Sequence, residues 1–227
     1  MSVPPPDPAH PRPVPLWWRF GRALTNRVFA RQVARLTLDG YLTDSGWVRS
    51  VREGAVVAAD GSPLPWTTYP FIEFIGPRLR PEWHVFEYGS GASTLFYARR
   101  VHTVTAVEHD TSFADGLRPK LPANATLLAR ERGSTGYFEA VAELAAPPHL
   151  VSVDGRDRVR CVSAAHGRLA PGGVLVLDDT DRIDYAPACA ELAAAGFRRL
   201  DFWGFAPGLP ERRCTTVFYR PDNVLGI

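Results

Sequence analysis

Two carboxylates in this chain each close an apolar run, and a glycine-rich bend lies between them. The first run is Val85-Phe86-Glu87-Tyr88, continued by Gly89-Ser90-Gly91-Ala92-Ser93-Thr94. The second is Val104-Thr105-Ala106-Val107-Glu108, which places Glu108 19 residues after Gly89. A strand, a glycine turn, a helix and a second acid-tipped strand form the unit that grips an adenosine-containing molecule. The glycines let backbone approach the ligand, and two carboxylate oxygens match a pair of vicinal hydroxyls. Further acids follow two more apolar runs: Asp154 and Asp157 after Val151–Val153, then Asp178, Asp179 and Asp181 after Val174–Leu177. Carboxylates at neighbouring strand tips can hold a hard cation or take a proton.

These residues need a scaffold, and the pattern predicts one. From His84 onward, strand-like runs cover 84–88, 103–108, 125–129, 149–154, 174–177, 199–203 and 215–219. Helical stretches cover 93–100, 112–120, 137–144, 159–169 and 185–195 between the first six. Such alternation implies a parallel sheet covered on both faces, with ligands at the carboxyl edge of its strands. Residues 204–213 are too few for a helical crossover, so the last strand should run antiparallel. The expected fold is α/β: a doubly wound, seven-stranded, mostly parallel sheet with an antiparallel last strand.

Three segments are expected. Residues 1–15 carry seven prolines and read as a disordered arm, residues 16–65 as a helical extension, and 66–227 as the main domain. Within the extension, Trp17, Phe20, Leu24, Val28, Val33 and Leu36 recur at helical spacing among arginines. That helix either packs on the domain edge or meets a membrane surface or a partner, a second copy in a homodimer included. A short strand pair is expected near 56–59, and a helix over 71–79. A net charge of +2 with scattered arginines gives no reason to invoke nucleic acid. Cys161, Cys189 and Cys214 are sparse and lack metal-ligand spacing. With no signal-peptide pattern and no apolar run of spanning length, a reduced, cytoplasmic protein without a membrane span is expected.

Together these motifs resemble the class I S-adenosylmethionine-dependent methyltransferases, whose fold is Rossmann-like. Glu87-Tyr88-Gly89-Ser90-Gly91 is similar to the first motif of that family, Glu108 to its second-strand acid, and Val151–Asp154 to its fourth-strand motif. Leu169-Ala170-Pro171-Gly172-Gly173-Val174 is similar to its lead into strand five. The segments PLPWTTYP, VDGRDR, LDDTDR and DFWGF resemble one bacterial subgroup, a likeness that assigns no acceptor.

The resemblance implies S-adenosylmethionine as cofactor and a small-molecule acceptor, with O-methylation of a hydroxylated metabolite favoured. Glu108 would hold the ribose diol, with His109 beside the adenosine. Gly89 and Gly91 would admit the methionine portion, and Glu87 would face its ammonium. Ser90, Ser93 and Thr94 would bond the cofactor or cap the helix. Asp154, Asp178 and Asp179 resemble the triad of divalent-cation-dependent O-methyltransferases, which implies Mg²⁺; Asp154 or Asp157 would otherwise be the base. Trp66, Tyr69 and residues 202–205 are candidate acceptor walls, and Arg156 and Arg182 could orient an anionic acceptor. Three alternatives stay open. A nicotinamide enzyme would want glycine where Thr94 stands. An aminopropyl-type transferase would use the aspartates for a polyamine. An accessory protein would bind a nucleoside without turnover.

Overall fold

The computed structural model describes residues 26–227; the proline-rich arm and the start of the amino-terminal extension lie outside them. The chain divides into two compact units, one ending at Asp44 and one running from Ser45 to Ile227. In the first, Asn26 caps a helix over Arg27–Leu38, its side chain accepting from the Val28 and Phe29 amides at 3.1 Å. A single turn, Tyr41–Asp44, follows. The division falls earlier than the expected boundary at 65, and the reason is packing. Trp47, Val56 and Ala58 pack against the core of the second unit, and Trp47 Nε1 donates to the Leu209 carbonyl at 2.9 Å.

Among the described residues of the second unit, seven strands form one sheet in the order β3-β2-β1-β4-β5-β7-β6. They are β1 (His84–Tyr88), β2 (Thr103–Glu108), β3 (Ala125–Ala129), β4 (Leu150–Val153), β5 (Val174–Asp178), β6 (Arg198–Ala206) and β7 (Leu209–Tyr219). The pairings among β1 to β5 are parallel, and β7 runs antiparallel to both β5 and β6. Two apolar cores cover the two faces of the sheet. One gathers Phe71, Ile75, Tyr97 and Val217, the other Phe86, Tyr137, Val162 and Leu192. The central strands are buried throughout, which is why they read as continuous apolar runs.

Three local expectations change. The helix expected over 71–79 occupies Tyr69–Ile75 and tightens to a 3₁₀ turn at Gly76–Arg78, because Pro77 has no amide hydrogen to continue it. The strand pair near 56–59 is a single bridge between Val57 and Pro63. Residues 204–213 are not a loop. They extend β6 and β7 into a long hairpin that turns at Pro207-Gly208, with Gly208 at φ +73°. The hairpin is polar because it projects from the sheet edge, so alternation could not be read through Glu211, Arg212 and Arg213.

Candidate functional site

The order of strands reverses at β1, which has β2 on one side and β4 on the other. Their carboxyl ends diverge there, and a cleft of about 600 Å³ opens over them. That is the place and the size of a small-ligand site in an open α/β sheet.

At one end of the cleft, the glycine bend and the tip of β2 are tied together. The Ser90 amide and hydroxyl both donate to Glu108 Oε2, at 3.1 and 2.9 Å. The amides of His109 and Asp110 donate to Oε1 at 2.8 and 3.0 Å. Three backbone donors therefore aim this carboxylate, and one rotatable hydroxyl can yield its place to a ligand hydroxyl. Gly89 has φ +98° and Gly91 φ +151°, conformations that side chains rarely adopt. A Cβ on Gly89 would also stand 3.1 Å from the Gly155 backbone, so the bend lies directly against the loop after β4. His109 lines the cleft, its Nδ1 2.8 Å from Glu108 Oε1 but without a hydrogen bond to it. Ser93 lines the cleft as well. Thr94 does not; it is buried, and its hydroxyl accepts from the Gly91 amide at 3.1 Å. Of the two roles open to Thr94, the structure gives the helix cap.

Glu87 forms the floor. It is 2% exposed, and its Oε2 has no hydrogen-bond partner among the described residues. Burial pushes its carboxyl up to about 7, against the pull of the Ser93 and Thr94 hydroxyls. A buried acceptor without a donor is costly, and the open side of this one is the cleft.

The other end of the cleft holds Asp154, Asp178 and Asp179 as the sequence suggested, but around an arginine. Arg158 is 8% exposed and sits in the first turn of the Arg158–Ala165 helix. Its Nη2 donates to Asp154 Oδ1 at 2.7 Å and to the Asp154 carbonyl at 3.1 Å. Its Nη1 donates to the Asp178 carbonyl at 2.6 Å and lies 3.3 Å from Asp179 Oδ2, while Nε donates to the Gly155 carbonyl at 3.1 Å. Asp179, in a left-handed conformation at φ +59°, also meets Arg213 at 2.6 Å and Arg182 at 2.8 Å. Asp178 Oδ1 accepts the Thr215 hydroxyl at 2.5 Å, and burial, reinforced by the neighbouring Asp154 and Asp179 charges, pushes its carboxyl well up.

This donor set does not fit a divalent cation. Both oxygens of Asp179 and one of Asp154 already face guanidinium groups, and Asp178 is disposed to keep its proton. Among the described residues, no group of three or more His, Cys, Asp or Glu side chains is arranged to hold a metal. Mg²⁺ is therefore not supported at Asp154, Asp178 and Asp179, which form an arginine-centred ion-pair cluster.

The two candidate bases are separated. Asp157 accepts two bonds from Arg132, at 3.0 and 3.1 Å, which hold its carboxyl below the usual range, and it is not a cleft residue. Asp154 lines the cleft, and its Oδ2 accepts no bond from the described residues. Burial pushes Asp154 up to about 6, against the pull of Arg158. Arg156 and Trp66 line the cleft, whereas Phe202 packs on Phe71 and Phe74.

Sequence reasoning passed over Phe113, Arg158 and Arg213. Phe113 is 49% exposed and lies over Gly91, a flat apolar surface beside Glu108. Its signal was an aromatic that falls off the buried face set by Ala114 and Leu117. The signal for Arg158 was its spacing of four from Asp154 at a helix start. Arg213 had none, because only the pairing of β7 with its neighbours brings it to Asp179.

No family model matches this chain, and no curated protein matches its sequence. Solved structures do match. A precorrin-6y C5,15-methyltransferase from Geobacter metallireducens GS-15 superposes with a TM-score of 0.52 at 17% identity, over 66% of this chain and 87% of the other. A methyltransferase-like protein from Silicibacter pomeroyi DSS-3 superposes with a TM-score of 0.50 at 22% identity, over 71% of this chain and 90% of the other.

Proposed function

We propose that this protein, which has the Rossmann-like fold of the class I S-adenosylmethionine-dependent methyltransferases, is itself such a methyltransferase and acts on a hydroxyl of a small acceptor. The observation that carries the reading is the joined pair of the Gly89–Gly91 bend and the Glu108 carboxylate, with the unpartnered Glu87 oxygen in the lining of the same cleft. The chemistry of the cofactor suits these residues. Its ribose diol has donors for Glu108, its ammonium has donors for Glu87, and its adenine has an apolar face for Phe113.

When bound, S-adenosylmethionine supplies an electrophilic methyl group on a sulfonium centre. The rest falls to the chain. Asp154 stands across the cleft with one oxygen anchored by Arg158 and the other open. Asp154 would take the acceptor hydroxyl proton as the acceptor oxygen gains the methyl group, and the bound cofactor would supply that methyl, its sulfur leaving as a neutral thioether. A carboxyl near 6 is ionised at neutral pH yet remains basic enough to accept a proton in the transition state. Arg156, Arg182 and Arg213 border the same end of the cleft, where they orient a polar acceptor and disfavour a polyamine, which argues against aminopropyl transfer.

Calorimetry with S-adenosylmethionine and S-adenosylhomocysteine tests the reading. The protein should bind both, and Glu108→Ala should weaken binding roughly 10- to 100-fold, the value of one or two charge-assisted hydrogen bonds. A protein that binds neither nucleoside is not this enzyme. Binding without methyl transfer to any of a panel of hydroxylated acceptors would favour the accessory role.

A further inference from the structure

The helix Arg27–Leu38 buries none of its residues. Val28 is 69% exposed, Phe29 51%, Val33 46% and Leu36 47%. At helical spacing these four lie within an arc of roughly 140°, while Arg27, Arg31 and Arg35 fall within an adjoining arc of roughly 80° whose centre is roughly 130° away, with Leu38, also exposed, among them. The helix contains no acid, and Asp39 just beyond it is paired with Arg35 at 3.5 Å. The sequence immediately upstream, Leu16-Trp17-Trp18-Arg19-Phe20-Gly21-Arg22, has the same composition. Residues 8–38 hold six arginines and no acid, so the chain's net +2 is +6 in this stretch and −4 everywhere else.

We propose that this segment is a membrane-surface anchor: the helix lies in the plane of an anionic bilayer, with its apolar arc among the acyl chains and its arginines at the headgroups. An apolar arc, an arginine row and neighbouring tryptophans are what an interfacial helix requires. Twelve residues span about 18 Å, short of the roughly 30 Å of a hydrocarbon core, so the helix lies along the surface rather than across it. The charge pattern separates this occupant from a second copy of the chain. A second copy offers the arginine row no acid from this helix, whereas anionic headgroups complement every arginine. An arginine near such a surface raises partitioning roughly fivefold. Three of them make binding strongly dependent on salt and lipid charge.

The test is co-sedimentation of the full chain with vesicles of phosphatidylcholine, with and without phosphatidylglycerol. Binding to the phosphatidylglycerol vesicles is expected, with little binding to phosphatidylcholine alone and release at about 1 M salt, where charges are screened within about 3 Å. The triple variant Arg27→Glu/Arg31→Glu/Arg35→Glu should lose at least about 100-fold. The double variant Phe29→Ser/Val33→Ser, which keeps every charge, should lose roughly tenfold. No binding to anionic vesicles would overturn the proposal, as would equal binding to both lipids. Unchanged binding of the double variant would reduce the helix to a loose electrostatic contact and overturn its insertion. Sedimentation of the wild-type chain as a dimer that the double variant converts to a monomer would assign the apolar arc to a second copy instead.

Discussion

Glu87 is a buried carboxyl at the floor of the cleft, and the proposed reading sets it against the cofactor's ammonium. Its carboxyl ordinarily titrates near 4.5 and is pushed up to about 7 by burial. Between those values the folded protein holds a proton that the unfolded chain has released. Stability therefore falls as pH rises from about 4.5 through about 7, and is flat above that. A shift of this size corresponds to roughly 3 kcal/mol. Glu87→Gln should accordingly raise the melting temperature of the ligand-free protein at pH 8 and leave it nearly unchanged at pH 4. On the proposed reading it should also weaken S-adenosylmethionine, by removing the charge proposed to face the ammonium. If Glu87→Gln bound the cofactor as tightly as wild type, Glu87 would be a structural acid only. Across the cleft, Asp154→Asn should lower kcat by roughly 10² to 10⁴ while cofactor affinity stays within a few-fold. The wild-type rate should climb with pH through about 6, because the ionised form of Asp154 accepts the proton. Since guanidinium groups stand where a dication would, turnover should be unaffected by EDTA and not raised by added Mg²⁺. Loss of activity on chelation, restored by Mg²⁺, would contradict the arginine-centred cluster.

Two contacts between elements set the geometry of the cleft. In the first, the bend after β1 lies against the loop after β4. A Cβ on Gly155 would stand 2.5 Å from the Tyr137 hydroxyl oxygen and 2.9 Å from the Gly89 nitrogen. Backbone cannot yield there as a flexible side chain would, so Gly155→Ala should cost roughly 1–3 kcal/mol of stability. It should also weaken nucleoside binding by displacing the bend; thermal unfolding and calorimetry on the same variant check both. In the second contact, the β6–β7 hairpin is held over the cleft by side chains from the segment before β1. Trp66 Nε1 donates to the Pro207 carbonyl at 3.1 Å, and the Thr68 hydroxyl donates to the Phe202 carbonyl at 3.0 Å. Thr215 links the same segment to the acid cluster, accepting from the Thr68 amide at 3.0 Å while donating to Asp178. Trp66→Ala should therefore raise the KM of the acceptor more than that of the cofactor, because it loosens the wall at the acceptor end only.

For the molecule as a whole, charge is unevenly placed along the chain, and buried acids are concentrated under one cleft. Asp154, Asp178 and Glu87 all have carboxyls raised by burial. The ligand-free protein should lose stability between about pH 4 and pH 7, and saturating S-adenosylhomocysteine should recover more of it at pH 7 than at pH 4. Melting curves across that range, with and without the nucleoside, are the check. Among the described residues, no helix is long and apolar enough to cross a membrane.

Much of this was legible in the residues alone. The apolar runs of β1, β2, β4 and β5 announce a buried parallel sheet because such strands bury both faces. The acids and glycines at their ends mark the ligand edge because local φ and strand polarity decide where an end residue points. The nucleoside end is local in this sense, since Gly89, Ser90, Gly91 and Glu108 come from one strand–bend–helix–strand unit. The acceptor end is not. Asp154, Asp178 and Asp179 are a metal triad or an ion-pair cluster depending on what stands between them. That is settled by Arg158 turning inward, by Arg213 arriving from β7 and by Thr215 reaching across from the reversed strand. Those partners lie 4 to 37 residues from the acids they meet. A carboxylate's chemistry follows from its counter-charges and its burial, and both are properties of the packed chain.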